Sequence, residues 1–260
     1  MSRAATARRG AGTAKVSASA PPRVEGYFQK SELPLASLPF LLPLVVLYEV
    51  GTRHFAWSPV YHGEQRIIAF ALMQRFFLLF GASGRYLPAM AVVGILLAWH
   101  IARRDEWRVR ASTLAGMLLE SAVLALPLLL LGRLASSYVP QTAAASQSEA
   151  ANLLILSVGA GIYEELMFRL ISFTLLNFLL IDLLRIRKSW SYLLMVLVSA
   201  VGFAGYHYLG EPFRWQTFAF RTAAGIYFGI VFIFRGLGIT AGVHAGYDFF
   251  IVLLRLLAHT

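Results

Sequence analysis

Apolar runs of membrane-crossing length follow one another from Leu35 to Leu257, and they constrain this chain more than any other feature. A bilayer core about 30 Å thick takes roughly 20 helical residues to cross. Inside it, every backbone N–H and C=O must find its partner within the helix. The candidate spans are residues 35–50, 86–102, 113–134, 151–184, 192–209, 216–234 and 237–257. A further stretch, residues 67–80, is interrupted by Gln74 and Arg75 and preceded by Arg66, so it is expected to lie in the interface. The run 151–184 is too long for one straight span and must tilt, break or continue along the interface. The fold class expected is therefore all-α, a polytopic membrane bundle of about seven to eight transmembrane helices.

Composition agrees. Hydrophobic residues make up 58% of the chain and charged residues 14%, against about 25% in soluble domains. Mean hydropathy is +0.66. The net charge of +10 sits mostly in the first residues and in short loops, so it reads as loop charge beside a membrane and not as a nucleic-acid face. The chain has no cysteine, which excludes disulfides and thiolate ligands.

Residues 1–32 carry Arg3, Arg8, Arg9, Lys15, Arg23 and Lys30 among Ala, Ser and Pro, and read as a disordered basic tail. Residues 33–149 form membrane helices without a motif, and residues 150–257 hold the chemistry. Excess Lys and Arg orients such bundles. The tail, the loop with Arg103, Arg104, Arg108 and Arg110, and the loop with Arg185, Arg187 and Lys188 are expected on the cytoplasmic side. That requires an even number of spans between them, which holds if 67–80 does not cross.

Ionisable groups inside spans cost several kcal/mol and are candidates for function. Three clusters stand out. In Glu164-Glu165-Leu166-Met167-Phe168-Arg169, Glu165 and Arg169 are four apart and can pair on one helix face. Glu164 points about 100° away, which leaves one carboxylate neutralised and the other free for proton transfer. Phe203 and His207 share a face of the next span, and His244 and Asp248 share a face of the last one. Gly238, Gly242 and Gly246 recur beside His244 and would let a neighbouring helix come close. Outside the clusters, Glu49 and Arg53 are spaced as an interfacial pair, Glu120 lies inside a span without an evident partner, and Arg221 could snorkel or serve as counter-ion to Glu164 or to a substrate carboxylate.

Taken together, Glu-Glu-x-x-x-Arg at 164–169, Phe-x-x-x-His at 203–207 and His-x-x-x-Asp at 244–248 resemble the CAAX-protease and bacteriocin-processing family, the Rce-like intramembrane proteases, over about residues 150–255. The resemblance implies that 150–257 is a catalytic membrane domain. It also implies that Glu164 and His207 activate a water, that His244 and residue 248 stabilise the oxyanion, and that Glu165, Arg169 and Phe203 support them. Bottom-up chemistry fits in part, since a poorly solvated carboxylate accepts protons well and imidazoles can donate to an oxyanion.

The family often has Asn where this chain has Asp248. Three roles stay open for Asp248: a protonated hydrogen-bond donor, an orienting partner for His244, or a metal ligand. Glu164, His207, His244 and Asp248 would be the ligands of a Zn2+ ion. The reading preferred here requires no cofactor.

Rival signals are weaker. Gly81-Ala82-Ser83-Gly84 matches a short serine-protease motif but sits in a loop, and no His-Glu-x-x-His occurs. The competing class is a non-catalytic scaffold or a proton-coupled transporter, which would string Glu and His along the membrane normal. No repeat or pair of matching broken helices supports it. The partners expected are the lipid bilayer and a membrane-associated protein or peptide substrate, without nucleic acid. The location expected is a bacterial cytoplasmic membrane, multi-pass, with the basic N-terminus in the cytoplasm.

Overall fold

The structure, a computed structural model, describes residues 26–55, 57–58, 63–136 and 147–257. A short α1 (Tyr27–Ser31) leads into α2 (Pro34–Phe55), α3 (Ile68–Leu79), α4 (Leu87–Arg103) and α5 (Ala111–Ser136). A long α6 follows over residues 147–183, then α7 (Lys188–Tyr206), α8 (residues 215–235) and α9 (residues 237–257). Between α2 and α3, β1 (Trp57–Ser58) pairs antiparallel with β2 (Gly63–Glu64).

This is the helical membrane bundle that the apolar runs predict. Five helical stretches among the described residues are long and apolar enough to cross a membrane. One of them, Trp215–Leu254, is two helices. Gly236 holds φ 71° and ψ −175°, a conformation open almost only to glycine. The chain reverses there, because Phe228 stacks on His244 with ring centroids 4.5 Å apart. In a straight helix those residues would be about 24 Å apart. At 17 residues α4 is about 25 Å long, close to the bilayer core. At 12 residues α3 is about 18 Å long and falls short of crossing.

The outward faces are apolar, with Leu42, Val46 and Val50 on α2 and Leu118, Leu119, Leu126 and Leu130 on α5 all exposed. A surface of that extent suits lipid, not water. Inside, one apolar cluster joins α2 and α4 to α6, and a second joins α5, α7, α8 and α9. The two meet where α6 crosses α9. A Cβ on Gly161 would lie 2.7 Å from both the Ala241 carbonyl oxygen and the Ala245 amide nitrogen, so the two backbones are in contact. The glycine stripe of α9 serves other neighbours. Gly238 faces Ser37 and Met117, Gly242 faces Ser121 and Phe40, and Gly246 faces open space. Two of its members thus seat α9 on α2 and α5.

Residues 1–25 of the expected tail lie outside the described residues. Its last part differs from the expectation of disorder: Tyr27–Ser31 is helical and clasped to the bundle. Arg235, beside the α8–α9 turn, binds Glu120 of α5 through Nε at 2.5 Å and Nη2 at 2.9 Å, and reaches Glu32 at 2.7 Å and the Ser31 hydroxyl at 2.6 Å. The Tyr27 hydroxyl donates to the same Glu120 at 2.6 Å. Partial burial, with the Glu120 carboxylate beside it, pushes the Tyr27 phenol up to about 12, so it stays a donor near neutral pH. Glu120 thereby gains the partners its sequence position did not reveal. Glu49 likewise pairs with Arg66 at 2.9 Å and accepts from the Tyr163 hydroxyl at 3.2 Å, in place of the expected Arg53.

Candidate active site

The helix that carries the two glutamates is not a regular one. Ala160–Glu164 and Leu166–Ile171 wind as π-type turns on either side of Glu165. Such turns widen a helix locally, re-aim its side chains and are frequent at functional sites. Here Glu164 and Glu165 point to different surroundings, as their adjacency predicts.

Glu165 faces a buried ionic layer. Glu165 and Arg169 are both fully buried. Their Oε2 and Nε lie 3.1 Å apart, although the N–H is not aligned for a hydrogen bond. Arg169 Nη2 donates to the Gly225 carbonyl of α8 at 3.1 Å, and its guanidinium lies over the rings of Phe203 and Phe228 at 4.6 and 5.3 Å. The other oxygen, Glu165 Oε1, accepts from His244 Nδ1 at 2.7 Å. The charge of Glu165 is thus spread over an ion pair and an imidazole, which is how a bundle interior tolerates it.

Glu164 faces a gap. The Tyr206 hydroxyl donates a short hydrogen bond to its Oε1. Its Oε2 is buried and has no hydrogen-bond partner. That atom lies 3.8 Å from His244 Nε2 and 4.0 Å from His207 Nε2. Both imidazoles are oriented from behind: His207 Nδ1 donates to the Phe203 carbonyl at 2.8 Å, and His244 Nδ1 donates to Glu165. Each therefore turns Nε2 toward Glu164. His244 is also stacked on Phe228 and touched edge-on by Phe203. Asp248 Oδ2 sits 3.6 Å from His244 Nε2, on the side opposite Glu165.

These groups close one end of a cavity of about 400 Å³. Its walls are apolar, with Leu153, Leu156, Phe220 and Ile251, and its polar members beyond the cluster include Arg221 and Asp248. Arg221 pairs with Glu211.

The four side chains named as zinc ligands do not fit that role as they stand. Among the described residues no three His, Cys, Asp or Glu side chains are arranged to hold a metal ion. Neighbouring ligands of a tetrahedral zinc lie roughly 3.3 Å apart, given bonds near 2.0–2.1 Å. The separations of 3.6, 3.8 and 4.0 Å here are wider. They are also too wide for direct hydrogen bonds, and a water about 2.8 Å from each partner can bridge such a pair from the side.

Glu164, Glu165, Arg169, Phe203, His207, His244 and Asp248 are all brought together, from α6, α7 and α9. Sequence reasoning missed Tyr206 and the Glu165–His244 contact. Tyr206 had a signal: a hydroxyl inside a span, one residue before His207, needs an acceptor.

Fold and site together define a helical membrane protein with a buried carboxylate–imidazole cluster open to a cavity. Residues 146–250 match the family described as type II CAAX prenyl endopeptidase Rce1-like. No curated protein and no solved structure is significantly similar to the chain.

Proposed function

We propose that the chain is an intramembrane endopeptidase in which Glu164 activates a water to hydrolyse a peptide bond of a membrane-associated protein or peptide. One observation carries the reading: the free Glu164 Oε2 faces two imidazole Nε2 atoms at separations too wide for direct hydrogen bonds, which one water bonded to each can bridge.

In this reading the water gives a proton to Glu164 while its oxygen bonds to the scissile carbonyl carbon. His207, held through Nδ1, offers its Nε2 lone pair to the same water. His244, when its Nε2 is also protonated, donates to the developing oxyanion, and protonated Asp248 adds a second donor. The C–N bond then breaks, and the amine leaves with the proton held by Glu164. Tyr206 holds the carboxylate in place.

For Asp248 the donor role has the best support, because the carboxylate on His244 Nδ1 is Glu165. No step requires a cofactor. A proton relay would need its groups strung along the bundle, whereas these converge on one gap. The unit responsible is residues 150–257, with the preceding helices as its support.

The test is a comparison of membrane peptidomes from cells carrying the wild type and Glu164→Ala. Products present with the first and missing with the second support the reading. Identical peptidomes, with both proteins folded in the membrane, reject it.

A further inference from the structure

A second cavity, a groove of about 1110 Å³, shares no lining residue with the one at Glu164. It lies where α4, packed on α2 and α3, leaves a gap against the later half of α6 and the start of α7. Ile95 and Trp99 of α4, Leu170 and Phe173 of α6, Met195 of α7 and Phe232 of α8 form its apolar walls. Its polar residues gather at one end, with Arg103 closing α4, Gln29 on α1, Tyr192 in the second turn of α7 and the Gly236 turn beside them. From Arg103 to Ile95 is eight residues, or about 12 Å along α4. One leaflet of a bilayer core is roughly 15 Å thick. Exposed Trp107, just past α4, and Trp190, at the start of α7, mark the polar end as headgroup level.

What the groove leaves open are hydrogen-bond donors. Among the described residues, Arg103 is bonded only through Nε, to Asp105 at 2.6 Å, and such an exposed pair holds weakly. Gln29 is bonded only through Oε1, to the Gly26 amide at 3.1 Å, which leaves its NH₂ unused. The Asn177 amide and the Tyr192 hydroxyl have no hydrogen-bond partner among the described residues, although Asn177 stands in an apolar span. The acceptors are engaged: Glu32 is held by Arg235 at 2.7 Å, and the Thr174 hydroxyl donates to the Leu170 carbonyl at 2.6 Å. The adjoining connections add Arg104, Arg185, Arg187 and Lys188 against Asp105, Glu106 and Asp182. Open donors and a cation at headgroup depth, above an apolar trough one leaflet deep, are complementary to an anionic, acceptor-rich head on an acyl chain.

We propose that this groove binds one anionic diacyl phospholipid of the bilayer. Its phosphate oxygens accept from Arg103, Gln29 and Tyr192, an ester carbonyl accepts from Asn177, and one acyl chain lies along Trp99, Ile95 and Phe173. Basic pockets between transmembrane helices suit such headgroups. A zwitterionic head would bring its own cation up to Arg103 and Arg104, so the anionic lipid is favoured. The bound lipid fills the gap beside α4 and ties that helix to α6, the helix of Glu164 and Glu165.

The test uses the full chain in detergent, titrated with phosphatidylglycerol or phosphatidylcholine of the same acyl chains, with bound lipid read by native mass spectrometry. One phosphatidylglycerol should be retained, about fivefold more tightly or better than phosphatidylcholine, the effect of a basic contact near a membrane surface. Arg103→Gln should remove that preference and Asn177→Leu should weaken it, while Arg75→Gln, on the exposed face of α3 outside the groove, should leave it unchanged. A phosphatidylglycerol with short acyl chains should bind more weakly than the long-chain lipid. Equal retention of the two headgroups by the wild type, or a preference that survives both Arg103→Gln and Asn177→Leu, overturns the proposal. Equal binding of short and long chains, or displacement of the lipid by excess inorganic phosphate, also overturns it and assigns the donors to a soluble anion.

Discussion

Two ionic clusters occupy opposite ends of this bundle, one partly exposed around Arg235 and one buried around Glu164, and they differ in what they leave undone. Around Arg235 the guanidinium meets Glu120, Glu32 and Ser31, and Glu120 takes Tyr27 as well. Around Glu164, one buried carboxylate oxygen has no hydrogen-bond partner and lies 3.8 and 4.0 Å from two imidazole Nε2 atoms. The first cluster spends its hydrogen bonds on holding α1, α5 and the α8–α9 turn together. The second keeps part of its bonding capacity in reserve, at a cost in stability that an unsatisfied buried group carries. A carboxylate left open beside two imidazoles points to chemistry, and one closed by an arginine and a tyrosine points to architecture.

The sharpest break in this comparison comes from exchanging one carboxylate for an amide in each cluster. Glu164→Gln should lower cleavage by about 10³-fold or more, since general acid–base groups contribute on the order of 10²–10⁴. Its thermal midpoint should hold or rise, because Gln can still accept from Tyr206. Glu120→Gln should do the reverse, keeping cleavage while losing about 1–3 kcal/mol of stability. Paired activity assays and thermal melts in detergent read both, and a parallel loss of stability in the two variants would erase the distinction.

Arg169 lies at the same site with Nε and Nη1 lacking hydrogen-bond partners, while its charge is set against Glu165 and the rings of Phe203 and Phe228. Arg169→Ala leaves Glu165 buried without its cation, and should cost about 3–5 kcal/mol of stability. A melt unchanged from wild type would show that His244 alone can neutralise Glu165.

Asp248→Asn should have the smallest effect. As Glu165 orients His244, Asn at 248 keeps the shape and the donor, and activity should stay within about tenfold of wild type while extending to higher pH, since an amide has no proton to lose. A variant inactive at every pH would return the orienting role to Asp248.

Much of this was legible in the amino-acid order. The apolar order alone separates the spans 216–234 and 237–257, and the structure puts the break between them at Gly236. The Glu165–Arg169 pair followed from helical spacing alone. What could not be read are contacts between residues far apart in sequence. Glu120 and Arg235 are separated by 115 positions, and Glu165 and His244 by 79. Local periodicity says which face a side chain takes, not which helix arrives opposite it. The same reason explains Glu49, whose nearby Arg53 was the natural guess while Arg66 is brought back by the β1–β2 connection. Three clusters on three spans could be matched to a family, but the π-type turns that separate Glu164 from Glu165 leave no mark in residue type.

The central claim, that Glu164 delivers a water to the scissile bond, is tested most directly by oxygen labelling. Purified wild type reconstituted in liposomes is given a peptide substrate in H₂¹⁸O under single-turnover conditions. Direct attack by water puts one ¹⁸O into the new C-terminal carboxylate of the product and none into Glu164, and Glu164→Gln yields no labelled product. Unlabelled product in that turnover, with its oxygen drawn from the protein, or labelled product formed equally by Glu164→Gln, would contradict the account.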